Sequence, residues 1–204
     1  MRPIIKFDIS FFSSIMLAVL SGNLNVYLVY FLSILIHECG HLFVASILGW
    51  ELDELKFTGL GGVLKFKNDL TKPPIQNFFV AIAGIFFNFL FYLFLIITNA
   101  PESLINTQIT IIFFNLLPIV PLDGSKILKS FLCTIFPYKK SLRILTYTNI
   151  AFLVILIMGT FVFRFEQYLI VLFILSLSVK KYNEQIEYLN ERFLLQTRIN
   201  ERKS

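Results

Sequence analysis

His37 and His41 are the only histidines in this 204-residue chain, and they stand four apart in His37-Glu38-Cys39-Gly40-His41. Residues four apart share one face of an α-helix, a turn above each other. Two imidazoles so placed can grip one metal ion, zinc above all, with the glutamate beside it as general base. The chemistry this spacing suits is hydrolysis by a metal-activated water. Two histidines scattered at random over such a length fall four apart about once in a hundred times, and the glutamate lowers this below about one in a thousand. Chance therefore explains the pattern poorly. A packed or interfacial histidine pair is the plain alternative.

A catalytic zinc usually keeps three protein ligands and one open position. With both histidines used, the third must be Asp, Glu or Cys. The setting narrows the choice. The chain is 56% hydrophobic with 15% charged residues and 24 phenylalanines, and its mean hydropathy is +0.75. Soluble domains hold about 45–50% apolar and about 25% charged residues, so this composition is that of an integral membrane protein. A carboxylate at the bilayer centre costs about 2.5–3.5 kcal/mol, which marks an intramembrane acid as functional by default. Most of the 13 acidic residues fall in loops or in the C-terminal tail. Glu38 is one exception, and Asp123 is the other. Asp123 ends the run Asn115-Leu-Leu-Pro118-Ile-Val-Pro121-Leu-Asp123, followed by Gly124. The two prolines break a helix and Gly124 permits a tight turn. Broken backbone at membrane depth survives only when buried in protein or lining a wet cavity. From there a carboxylate can reach a metal on a neighbouring helix. Equally, Asp123 can be a loop residue capping a helix that starts near Ser125.

The elements that must position these groups follow from the apolar runs. Six spans are expected, over residues 9–20, 26–50, 75–98, 104–121, 144–163 and 167–179. The first, fourth and sixth are short, which implies local thinning or broken helices. The fold class is an all-α polytopic membrane protein of about six transmembrane helices. With six spans, 17 of the 18 Lys and Arg residues fall on one side and only Arg164 opposite. The positive-inside rule puts that side, and both termini, in the cytoplasm. The net charge of +5 follows from this topology and from anionic-lipid contact, without any nucleic-acid partner. No cleavable signal peptide is expected after Lys6.

Between the second and third spans, Leu55–Thr58 and Val63–Lys67 alternate around Gly59-Leu60-Gly61-Gly62, as in a small cytoplasmic β-hairpin. Such a strand edge, with Gly61 and Gly62 at its turn, can pair with an extended substrate; an ordinary connecting loop is the alternative. Residues 181–204 carry Ile186, Leu189 and Phe193 at helical spacing, an amphipathic tail suited to the membrane surface. Cys39 points away from the histidine face and is expected to be a buried thiol, and Cys133 has no ligand spacing with anything near it.

The two motifs together, His37-Glu-Cys-Gly-His41 and Asn115-x-x-Pro-x-x-Pro-Leu-Asp123-Gly124, resemble the site-2 protease family of intramembrane zinc metalloproteases. Within it the chain is most similar to the compact sporulation branch, which processes a pro-sigma-K precursor. Gly84-x-x-x-Asn88 adds a weaker match, although close helix packing and an interhelical bond explain both residues too. The resemblance covers about residues 5–180, and residues 1–180 are expected to form one intramembrane metalloprotease domain. It implies one zinc ion held by His37, His41 and Asp123, with Glu38 activating water. It also ties Asn115, Pro118 and Pro121 to the site and to substrate. The implied partner is a membrane-associated protein substrate cut near the cytoplasmic face, a pro-sigma factor in the sporulation case, with room for membrane-protein inhibitors. In that case the termini face the mother cell. The PDZ and CBS domains of other members are not expected here, which leaves the tail to assist substrate capture. Three alternatives stand beside this reading. A generic site-2 protease would release an anti-sigma factor or clear signal-peptide remnants. A metal transporter would show further intramembrane ligands, and an inactive scaffold would not need Glu38.

Overall fold

The computed structural model describes residues 4–58, 61–67 and 72–163. Its elements run β1 (Ile4–Phe7), α1 (Ile9–Leu20), α2 (Leu24–Ile47), β2 (Leu52–Thr58), β3 (Gly61–Phe66), α3 (Pro74–Ile97), α4 (Glu102–Leu116), α5 (Asp123–Ile135) and α6 (Tyr138–Phe163).

Local chemistry sets the helix ends. The Asp8 side chain caps α1 by accepting from the Ser10 amide at 3.0 Å. α2 ends on Gly49, whose φ of 69° lets Trp50 N–H donate back to the Ala45 carbonyl at 2.9 Å. α3 opens with Pro74 in its first turn, where a missing N–H costs nothing. Asn99, at φ 51°, closes α3 in the same left-handed way. α4 stops at Leu116, short of the expected 121, because Pro118 disfavours helix in the residue before it and removes a donor.

β2 and β3 pair antiparallel along the two expected runs, between α2 and α3. A third strand, β1, joins them in parallel on the other side of β2, with Ile5 opposite Leu55 and Phe7 opposite Phe57. The fold therefore holds a three-stranded mixed sheet where the sequence suggested only a hairpin. One sheet face docks on α1 and α2 through Phe7, Phe11, Phe31 and Phe57, with contacting ring centroids 5.3–6.1 Å apart. The other face carries ion pairs, Lys6 with Glu54 at 2.9 Å and Lys56 with Asp8. The bond from Lys6 holds the Glu54 carboxyl below its ordinary range. β3 is pinned to the helices by Phe66 against Trp50, edge to face at 5.4 Å. Trp50 in turn donates to Gln76 of α3 at 3.0 Å.

α3 is the central helix and packs on α2, α4 and α5. Gly40 makes the α2 contact close: a Cβ there would stand 2.6 Å from the Ala83 carbonyl oxygen. α2 and α3 are both long and apolar enough to cross a membrane. Their outward faces carry exposed Phe43, Ile47, Phe86 and Phe94, as a lipid-facing surface does. The interior holds a polar seam: Ser33, Asn88, Gln108 and Asn149 are all buried. Gln108 of α4 donates to Ser33 of α2, and such bonds hold helices together where apolar burial gives no net drive. α6 begins at Tyr138, earlier than the expected 144. The sixth span, Arg164 and the 181–204 tail lie outside the described residues.

Candidate metal centre

α2 carries His37 and His41 on one face, and both are buried. The segment after α4 brings Asp123 to them as the first residue of α5. Asp123 Oδ2 stands 2.7 Å from His37 Nε2 and 2.9 Å from His41 Nε2. The two Nε2 atoms are 3.1 Å apart. One atom from each of three buried side chains thus converges on one point. Zinc–ligand distances of about 2.0–2.2 Å at tetrahedral angles separate donors by about 3.3 Å, so this trio suits one small ion. Two imidazole nitrogens and a carboxylate oxygen are also the donor types zinc takes.

Each donor is held from behind. His41 Nδ1–H donates to the Val80 carbonyl of α3 at 2.7 Å, which leaves Nε2 bare toward the centre. His37 Nδ1 lies 3.3 Å from the Asn88 amide nitrogen. Lys126, one turn along α5, donates to Asp123 Oδ1 at 2.8 Å and so turns Oδ2 inward. The Asp123 carboxylate is thus engaged by side chains, and Leu122 occupies the α5 N-cap without a side-chain bond. The capping reading of Asp123 does not describe how its carboxylate is used.

Gly84 makes the centre possible sterically. A Cβ there would stand 2.5 Å from His41 Nε2 and 2.7 Å from His37 Nε2. Asn88, four residues on, touches His37. Packing alone is therefore too little for this pair, since both abut the donor set. Their signal in the sequence was the four-residue spacing on an apolar helix.

Glu38 follows His37 on α2 and lies under β3. A Cβ on Gly62 would be 2.7 Å from Glu38 Cγ and 3.2 Å from its Oε1. Gly61, at φ 142°, faces Ile34 one turn earlier. Both sheet glycines therefore sit over α2 at the motif. The other sequence candidates lie at the end of α4 and on the loop that follows it. Asn115 uses its amide on its own helix, donating to Ile111 O at 3.1 Å. Pro118 lines an apolar cleft of about 360 Å³ with Phe78, Gly124 and Phe131. Pro121 is exposed and follows a cis peptide bond. The loop itself is fastened by Asn149 of α6, whose Oδ1 accepts from Val120 N–H at 3.1 Å. Sequence reasoning missed Asn149 and Lys126, the first because only folding brings it to the loop. Cys39 is exposed, contrary to the buried thiol expected, because two positions past His37 it lies on the outer side of α2.

The chain resembles known proteins in sequence and in fold. It is 30% identical to stage IV sporulation protein FB of Bacillus subtilis over 190 residues, covering 88% of this chain and 66% of that protein. It is 29% identical to a zinc metalloprotease of Methanocaldococcus jannaschii over 132 residues, 58% of this chain and 38% of that one. The chain thus spans just under two thirds of the first relative and less of the second. Its fold matches the site-2 protease from Methanocaldococcus jannaschii with a TM-score of 0.66 at 22% identity, covering 87% of this chain and 89% of that one. The model of peptidase family M50 matches residues 26–107 and 102–158. These segments carry the histidine pair, Glu38, Asn88 and Asp123, and the chain belongs to peptidase family M50.

Proposed function

We propose that this chain is an intramembrane zinc metalloendopeptidase of the site-2 protease type. The observation that carries this is the convergence of His37, His41 and Asp123, with Glu38 next to the first ligand and beneath a sheet strand. Zinc, when bound, supplies Lewis acidity that polarises a peptide carbonyl and makes water acidic near neutral pH. The protein's own groups do the rest. Glu38 accepts a proton from the attacking water and passes it to the leaving amine nitrogen. Val80 and Lys126 keep His41 and Asp123 aimed inward. Lys126 leaves 58% of its side chain exposed while its ammonium holds Asp123.

The substrate is a membrane-associated protein, cut near the cytoplasmic face. Its unwound segment lies along β3, where Gly61 and Gly62 allow backbone close to Glu38. Asn115, Pro118 and Pro121 shape the loop opposite. A pro-sigma-K-type precursor is the substrate we favour, supported by the likeness to the Bacillus subtilis sporulation protein over 88% of this chain. The chain is multi-pass, residues 1–180 form the protease unit, and both termini and the sheet face the cytoplasm, supported by the cation bias. Co-expression with a membrane-associated pro-sigma precursor tests this, comparing wild type with Glu38→Gln. Processing by wild type alone is expected. Processing by both would overturn the assignment of Glu38.

A further inference from the structure

The two histidines differ in how their outer nitrogens are held. A carbonyl can only accept, so Val80 O fixes the His41 proton on Nδ1. His37 instead faces the amide nitrogen of Asn88. A donor there requires a bare Nδ1, which puts the His37 proton on Nε2. That is the atom 2.7 Å from Asp123 Oδ2. In this tautomer His37 cannot ligate an ion through Nε2. Meanwhile Asn88 Oδ1 is buried with no partner among the described residues, on a side chain that is fully buried. An amide's oxygen and nitrogen are close in size, so a half-turn of the group exchanges them at little steric cost.

We propose that Asn88 is the positioning residue for His37: in the ion-loaded site its Oδ1 accepts from His37 Nδ1–H, which leaves Nε2 bare for the metal. The half-turn moves the unpaired position from an acceptor to a donor and does not remove it. The gain lies at His37, whose two nitrogens then match those of His41. This rests on the zinc reading above.

The test is zinc affinity of the purified full chain, measured by competition with a chromophoric chelator. Asn88→Asp keeps the shape and offers only acceptors when ionised. It should bind zinc within about threefold of wild type, or more tightly. Asn88→Leu keeps the bulk and offers nothing, and should bind about 10–100-fold more weakly, the usual cost of losing an outer partner. Equal losses in both variants would identify the amide nitrogen as the working atom and overturn the proposal. Wild-type affinity in Asn88→Leu would make Asn88 a packing residue only and overturn it too. If Asn88→Leu fails to fold, by thermal melting without metal, Asn88→Asp decides alone. His41→Ala is the control for the underlying reading. Zinc bound by wild type and lost in His41→Ala upholds that reading whatever Asn88 does, and no zinc in wild type would overturn both.

Discussion

Gly62 of β3 rests directly on the side chain of Glu38 in α2: a methyl group there would stand 2.7 Å from Cγ and 2.9 Å from the carboxyl carbon. The general base and the sheet are therefore in mechanical contact. Gly62→Val should displace Glu38 and lower cleavage by at least about 100-fold, the range for a misplaced acid–base group. Zinc content should stay at the wild-type level, because the three atoms nearest such a methyl group all belong to Glu38. Metal analysis beside a cleavage assay checks this, and normal cleavage would separate the strand from the chemistry.

Glu38→Gln keeps the shape of the side chain and removes its basicity. We expect full zinc binding and loss of cleavage by about 100–10,000-fold. Loss of zinc in this variant would make Glu38 a ligand instead.

Gly84→Ala addresses the metal from the opposite side. Its methyl group would meet both imidazoles, at 2.5 Å from His41 Nε2 and 2.7 Å from His37 Nε2. The rings must move, so zinc should be lost together with activity. Overpacking of this kind costs about 1–3 kcal/mol, readable as a lowered melting temperature. Zinc retained at full stoichiometry would contradict the close approach.

Asn149→Leu tests the loop fastening. The Val120 amide loses its acceptor, and a buried donor left unpaired costs about 1–3 kcal/mol. Zinc affinity should fall as well, because this loop delivers Asp123. A stability loss with unchanged zinc affinity would show that the loop holds its path without α6.

The two histidines were legible because one helix turn is a local rule: spacing alone puts them on one face. Asp123 was legible for a different reason, the cost of an acid in an apolar setting. Gly84 and Asn88 obey the same spacing rule, yet spacing cannot say what a small residue makes room for. Only the position of α3 behind α2 turns a packing pair into the floor of the donor set. β1 escaped notice because four residues carry little pattern, and their partner strand lies some 50 residues away in the chain, with Ile4 opposite Glu54. Asn149 escaped for the same cause, since its bond to Val120 spans 29 residues. The end of α4 was misplaced because hydropathy continues past Leu116 while the helical hydrogen-bond pattern ends there and gives way to turns.

His37 and Asp123 are 86 residues apart in the chain. An ion shared between them is a crosslink, and it closes a loop that the unfolded chain would otherwise leave open. Loop-closure entropy grows with length, so a tie of this span restricts the unfolded ensemble more than a local one would. Stripping the metal should therefore do more than silence the chemistry. It should free α5 from α2, and protease nicking of the segment around Pro118–Pro121 would report that release.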